Sequence, residues 1–285
     1  MKLVSFNHQN AAQVGVRIGD QLIPVSELGA DIPNNIREIL TAGKLEEIDA
    51  MSANYSGETI ALDSVELLAL IPEPGKIICI GRNYAAHAAE GGVETPSYPE
   101  IFYRGKTSLL GHGQPIIRPK CSDKLDYEGE FVFVVGKKCR HATEENAFDY
   151  IAGYSLFNDA TLRDYQRFSS QWTIGKNFDA TGPFGPELVT SDELPEGLSG
   201  LTLTTRLNGE VMQNASIDDL VFPVKTLVKI LSECMTLEPG DVVVTGTPAG
   251  VGYARKPPIW MKAGDIVEVS VDGLGTLRNS IIDEA

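Results

Sequence analysis

Apolar residues in this chain mostly come in short alternating or continuous runs broken by turn residues, a pattern of strands rather than long helices. Residues 13–18 and 21–25 read as a hairpin joined at Gly19-Asp20, with Pro24 confining the second strand to a sheet edge. Residues 36–40 read as a short helix ended near Gly43. Pro72-Glu73-Pro74-Gly75 marks a boundary between a small β-rich domain, residues 1–71, and a main domain, residues 72–285. Further strands are expected at 76–80, 101–104 and 241–245, and a hairpin at 266–271 with its turn at Asp272-Gly273. Residues 201–207 turn at Asn208-Gly209, the strongest hairpin signal in the chain. Helical turns are expected after Thr143, read as a cap, through Tyr150, and over 161–168. Ser216 with Asp219 resembles a helix-start box, and Pro223 is placed in the first turn of a helix that carries Leu227, Val228 and Leu231 inward. The fold class is mainly β (α+β), with few short helices.

One strand stands out. Asp126-Tyr127-Glu128-Gly129-Glu130 runs directly into Phe131-Val132-Phe133-Val134-Val135. Alternation puts Glu128, Glu130, Val132 and Val134 on one face and Phe131 and Phe133 on the other, so both faces are apolar and both are expected to be covered. Carboxylates at the start of such a strand are costly to bury unless a positive charge meets them. A divalent cation would do so, with Asp159 as a third oxygen ligand from the next strand; solvation of an exposed strand end, or a lysine partner, is the plainer alternative.

Composition narrows the function class. A formal charge of -15 over 285 residues argues against nucleic acid and gives no reason for an anionic membrane surface. Cys79, Cys121, Cys139 and Cys234 have no Cys-x-x-Cys spacing and read as reduced thiols. The first residues turn polar too early for a signal peptide, and no apolar run is long enough to span a bilayer, so a cytoplasmic protein is expected.

Other reactive residues surround the acidic strand in sequence. His87 and Glu90 stand three apart, on one face of a helix, as a base oriented by a carboxylate would, or as an ordinary exposed pair. Residues 91–99 have the composition of a lid or of a plain loop. Lys106 and Ser108 follow the 101–104 strand and face an acidic ligand or water. Arg163 and Gln166 face alike on their helical turn, and Lys176 interrupts an uncharged run either as a solvated side chain or as a cation for the acidic cluster. Residues 246–252 form a glycine-rich loop that can present backbone N–H groups to an anion. It lacks the endings of nucleotide-binding loops.

Taken together, Gly81-Arg82-Asn83-Tyr84 with His87 and Glu90, the 126–130 acidic signature, Asp159 with Arg163 and Gln166, Lys176 before Phe178, and the 246–252 loop resemble the fumarylacetoacetate hydrolase family. The likeness covers residues 72–282. It implies a mixed β-roll of curved sheets, usually dimeric, preceded here by the extra N-terminal unit. It also implies metal ligation by Glu128, Glu130 and Asp159, catalysis by His87, Glu90 and Lys176, and substrate contacts from Arg82, Tyr84, Arg163, Gln166 and Thr247. Arg104-Gly105-Lys106 departs from some members at a strand end near the pocket, where Arg104 is a further substrate-contact candidate. All-oxygen ligands suit Mg²⁺, with Mn²⁺ or Ca²⁺ as alternatives. The implied partner is a small-molecule 2-oxo acid, and the implied assembly a homodimer. The implied reaction is catabolic hydrolysis of a carbon–carbon bond in a 2,4-dioxo acid. Isomerisation or decarboxylation of 2-oxo acids such as oxaloacetate uses the same enolate. A non-catalytic Ca²⁺-binding β-protein is the alternative from a different class.

Overall fold

The N-terminal hairpin forms where the turn residues place it. The computed structural model describes residues 1–285, the side chain of Glu196 excepted. Strands β1 (Lys2–His8), β2 (Ala11–Ile18) and β3 (Gln21–Pro24) make an antiparallel meander, with Ile18 opposite Gln21 across the Gly19-Asp20 turn. β3 is not the outermost strand, because Ile60–Ala61 pairs with Gln21 and Leu22. That pairing stops before Pro24, which has no N–H to offer it. Helix α1 (Ile36–Thr41) starts at Asn35, whose side chain accepts from the N–H groups of Arg37 and Glu38, and α2 (Leu45–Ser52) follows.

The rest of the chain supplies β4 (Ile77–Gly81), α3 (Ala85–Glu90), β5 (Glu100–Tyr103), β6 (Gly129–Val135) and β7 (Ile151–Asn158). Next come the single helical turns α4 (Arg163–Gln166) and α5 (Thr173–Lys176), then β8 (Gly182–Val189), β9 (Thr202–Leu207) and β10 (Glu210–Ser216). Helix α6 (Val224–Cys234), β11 (Val242–Val244), β12 (Ile266–Val271) and β13 (Gly275–Asp283) complete it. The main sheet runs β3-β2-β1-β8-β7-β6-β11-β4-β5, with Ile60–Ala61 beyond β3. The first three strands therefore extend the same sheet, through pairing of β1 with β8. A second, five-stranded sheet runs β10-β9-β12-β13 and ends on Ile116–Arg118.

β6 lies inside this arrangement and is buried along its whole length. Phe131, Phe133 and Val135 pack toward α6 and the second sheet, with Leu227, Val228 and Leu231 buried there as the helical spacing required. Val132 and Val134 pack on the other side with Ile36, Ile39 and Ile48 of α1 and α2. The N-terminal helices thus cover the second face of the central strand. Each such side chain contributes roughly 1.5–3 kcal/mol by leaving water.

Some local signals form as expected and others do not. The Asn208-Gly209 turn forms, with both residues at positive φ (51° and 82°) as the tight hairpin needs. Thr143 is not a cap: its N–H donates to Asn146, and Asn146 opens only one 3₁₀ turn, Ala147–Tyr150. Ser216 caps the 3₁₀ turn Ile217–Asp219, while Pro223 occupies the N-cap of α6 rather than its first turn. All four cysteines are free. Among the described residues, no helix is long and apolar enough to cross a membrane.

Candidate metal and catalytic site

Strand register builds the acidic cluster. Gly129 lies opposite Asn158 across β6 and β7. Just outside that pair, the N–H of Asp159 donates to the Glu128 carbonyl at 2.8 Å, and the N–H of Glu128 donates to the Asn158 side chain at 3.0 Å. Glu130 follows Glu128 on the same face, so ligand oxygens of Glu128, Glu130 and Asp159 fall within 4.8 Å of one another, all buried.

Three cations converge on these acids. Lys176 Nζ lies 2.5 Å from both Glu128 and Asp159. Arg163 reaches Glu128 at 2.6 Å and Asp126 at 2.8 Å, and also donates to Gln166 at 3.1 Å. Arg104 meets Asp159 at 2.5 Å and donates to Thr181 and Ser108. Asp126, Glu128, Glu130 and Asp159 make four carboxylates against three cations. The surplus falls on Glu130, which pairs with no cation among the described residues and accepts one bond, from the Gly246 N–H at 2.5 Å.

Charge and burial set the protonation states. Burial, then the nearby Asp159 and Glu128, push the Glu130 carboxyl well above the usual range. Burial alone would raise Glu128 too, but Arg163 and Lys176 outweigh it and hold that carboxyl at about 2. Burial works against the Lys176 ammonium, yet Asp159 and Glu128 raise its pKa, so it is a fixed cation and not a base. These residues fit a hard dication. Their donors are oxygen, and one acid, Glu130, lacks a cation and holds a proton that a dication would displace.

The dyad stands over the same space. His87 Nδ1 lies 2.9 Å from Glu90, and both Glu90 oxygens accept from the Gly250 N–H, at 3.1 and 3.0 Å. This leaves Nε2 for the cavity that the imidazole lines. Asn83 anchors the approach to α3: its side chain accepts from Phe222 N–H and donates to the carbonyls of Phe222 and Thr245. Gly81 is needed because a Cβ there would sit 2.2 Å from the Trp172 ring.

The cavity holds about 200 Å³. His87, Lys176, Arg163, Gln166, Arg82 and Thr247 all line it, together with the acidic triad. Two residues expected at the substrate do not. Tyr84 is buried in the core between the sheets, and Arg104 lies behind Asp159 with its guanidinium turned inward. Thr247 is on the wall, but its hydroxyl is committed, donating to the Gly129 carbonyl and accepting from Gln213. Lys106 pairs with Glu73 on the surface, away from the cavity. The N–H groups of the glycine-rich loop do meet anions, but these are the protein's own Glu130, Glu90 and Asp126.

Sequence reasoning missed Asp126 as a partner of Arg163, as well as Arg167, Trp172 and Tyr253 on the wall. Arg163 and Arg167 lie over the Tyr253 ring, at 4.5 and 5.1 Å from its centroid. Only the four-residue spacing of the two arginines hinted at a shared surface.

Known proteins are similar to this chain in sequence and fold. Residues 76–282 match the family model described as fumarylacetoacetate hydrolase C-terminal. The chain is 38% identical over 289 aligned positions to the mitochondrial oxaloacetate tautomerase of Xenopus laevis, covering 99% of this chain and 90% of that one. The structure of 5-carboxymethyl-2-hydroxymuconate delta-isomerase from Mycobacterium smegmatis is similar with a TM-score of 0.79 and 32% identity, covering 100% of both chains. Maleylpyruvate hydrolase from Sphingobium sp. SYK-6, solved in complex with manganese(II) ion and pyruvate, gives a TM-score of 0.82 at 27% identity, again over 100% of both chains. On the family match and the full-length relative together, the chain belongs to the fumarylacetoacetate hydrolase family of enzymes.

Proposed function

We propose that the protein is a metal-dependent tautomerase of small 2-oxo acids, interconverting the enol and keto forms of oxaloacetate. The observation that carries this reading is the pairing of one oriented base with a small cavity. Moving a proton from the enol oxygen on C2 to C3 is a 1,3-shift, which a single base performs by taking the proton at oxygen and returning it at the carbon two bonds away. His87, fixed through Glu90 to the Gly250 N–H, is such a base. The cavity of about 200 Å³ suits a four-carbon acid and falls below the ~300–1,000 Å³ of sites for larger ligands. Similarity to an oxaloacetate tautomerase over nearly the whole chain supports the same choice. Hydrolysis, which the sequence reading put first, becomes the second reading, favoured by the likeness to maleylpyruvate hydrolase.

The residues divide the work by charge. Glu128, Glu130 and Asp159 would hold Mg²⁺ or Mn²⁺, which would supply Lewis-acid stabilisation of enolate charge. Arg163 lines the cavity and would add positive charge beside the substrate's oxygens. Lys176 keeps its proton and contributes a permanent positive field. His87 takes and returns the proton. Members of the family are expected to be homodimers, and the dimer belongs to this proposal.

The test is ketonisation of enol-oxaloacetate followed in the ultraviolet with Mg²⁺ or Mn²⁺, beside a panel of 2,4-dioxo acids. Wild type should accelerate ketonisation, and His87→Ala should lower kcat by about 10²–10⁴. Cleavage of the dioxo acids without ketonisation would replace this reading by the hydrolase.

A further inference from the structure

Four basic side chains stand at the cavity, and three are committed to protein carboxylates. Arg82 is paired with Glu100 at 2.9 Å, and Arg163 and Lys176 are held by the acidic cluster. Arg167 is the fourth. It lines the cavity, is exposed at its mouth, and makes no ion pair among the described residues. Among the cations that line the cavity, Arg167 is the one without a carboxylate partner among the described residues.

Its position is defined. Arg167 caps the end of α4 in helical conformation, one turn after Arg163, and the two guanidinium groups share the Tyr253 ring. One aromatic side chain therefore neighbours both a buried, paired arginine and an exposed, unpaired one. Gly91 admits this packing, since a Cβ there would lie 2.9 Å from the Tyr253 hydroxyl. A guanidinium held this way offers a carboxylate two parallel N–H groups with little conformational freedom left to lose.

We infer that Arg167 is a specificity-determining residue: it receives the far carboxylate of a dicarboxylic 2-oxo acid whose keto-acid end lies at the acidic triad. This rests on the proposed reading of the cavity as a site for 2-oxo acids. The enzyme then prefers dicarboxylic substrates to those with an apolar far end, even though its overall charge repels them.

The experiment compares wild type, Arg167→Ala and Arg167→Lys on enol-oxaloacetate and enol-phenylpyruvate, with oxalate as competitive inhibitor. The ratio of kcat/KM for the dicarboxylate over the monocarboxylate should fall about 10- to 100-fold in Arg167→Ala, through KM, and recover partly in Arg167→Lys. Oxalate, with no far end, should lose much less affinity than the dicarboxylate does. A parallel fall on both substrates would mark Arg167 as merely structural, and an unchanged ratio would remove it from recognition; either overturns the inference. If wild type ketonises neither enol but cleaves 2,4-dioxo acids, the tautomerase reading fails while the inference is judged on fumarylpyruvate against acetylpyruvate. If wild type acts on no 2-oxo acid, both fail together.

Discussion

Glu187 on β8 and Glu130 on β6 are carboxylates in one sheet, 0% and 2% exposed, yet their surroundings differ in kind. Glu187 meets two cations, Lys2 at 3.1 Å and Arg17 at 2.8 Å. Glu130 meets a backbone N–H and two other carboxylates. Burial is the same, so burial does not mark the functional group. The balance of charge does: two cations for one acid at the N-terminal end, three cations for four acids at the cavity. On the proposed reading, the acid left without a cation marks the place for an ion that arrives from solution.

Removing one cation from each region should separate the two cases most sharply. Lys176→Met strips a shared partner from Glu128 and Asp159 in a buried site and should cost about 3–5 kcal/mol in denaturant unfolding of the metal-free protein. Arg17→Met leaves Glu187 with Lys2, and both cations are about one-third exposed, so the loss should be about 1 kcal/mol or less. Equal losses would erase the distinction.

A smaller effect concerns pH. The folded Glu130 carboxyl titrates above its ordinary 4.5, so metal-free folded protein retains a proton that the unfolded chain has released. Its stability should therefore fall as pH rises from 4.5 through the raised value, and then level off. Glu128 has the opposite sign: its contribution is present above 4.5 and is lost as pH falls toward about 2. Unfolding midpoints measured across pH should show both limbs without metal. Saturating Mg²⁺ should abolish the upper one, and an upper limb unchanged by metal would contradict the assignment.

The parts of this site visible in the sequence are those governed by local geometry. The two-faced apolar run of 131–135, the Asn208-Gly209 hairpin and the three-residue spacing of His87 and Glu90 depend on neighbours along the chain, and all formed. The grouping of Glu128 and Glu130 with Asp159 was proposed from strand alternation and sharpened by family resemblance. What failed depends on depth. The sequence placed Arg104 at a strand end near the pocket, but not the inward turn of its guanidinium to an aspartate 55 residues later. Tyr84 follows a loop motif, yet its ring joins the core between the sheets. Arg167 has no signal in the sequence, because lack of an ion-pair partner in the fold leaves no mark along the chain.

The central claim is that Glu130, the one acid of the cluster with no cation beside it, gives up its proton to a dication. Isothermal titration of Mn²⁺ into metal-free wild type and Glu130→Gln, in two buffers of different ionisation enthalpy, tests it most directly. Wild type should bind one ion per chain with proton release, and Glu130→Gln should bind at least about 100-fold more weakly with little or no proton release. Equal affinity in both proteins, or no binding to wild type, would contradict it.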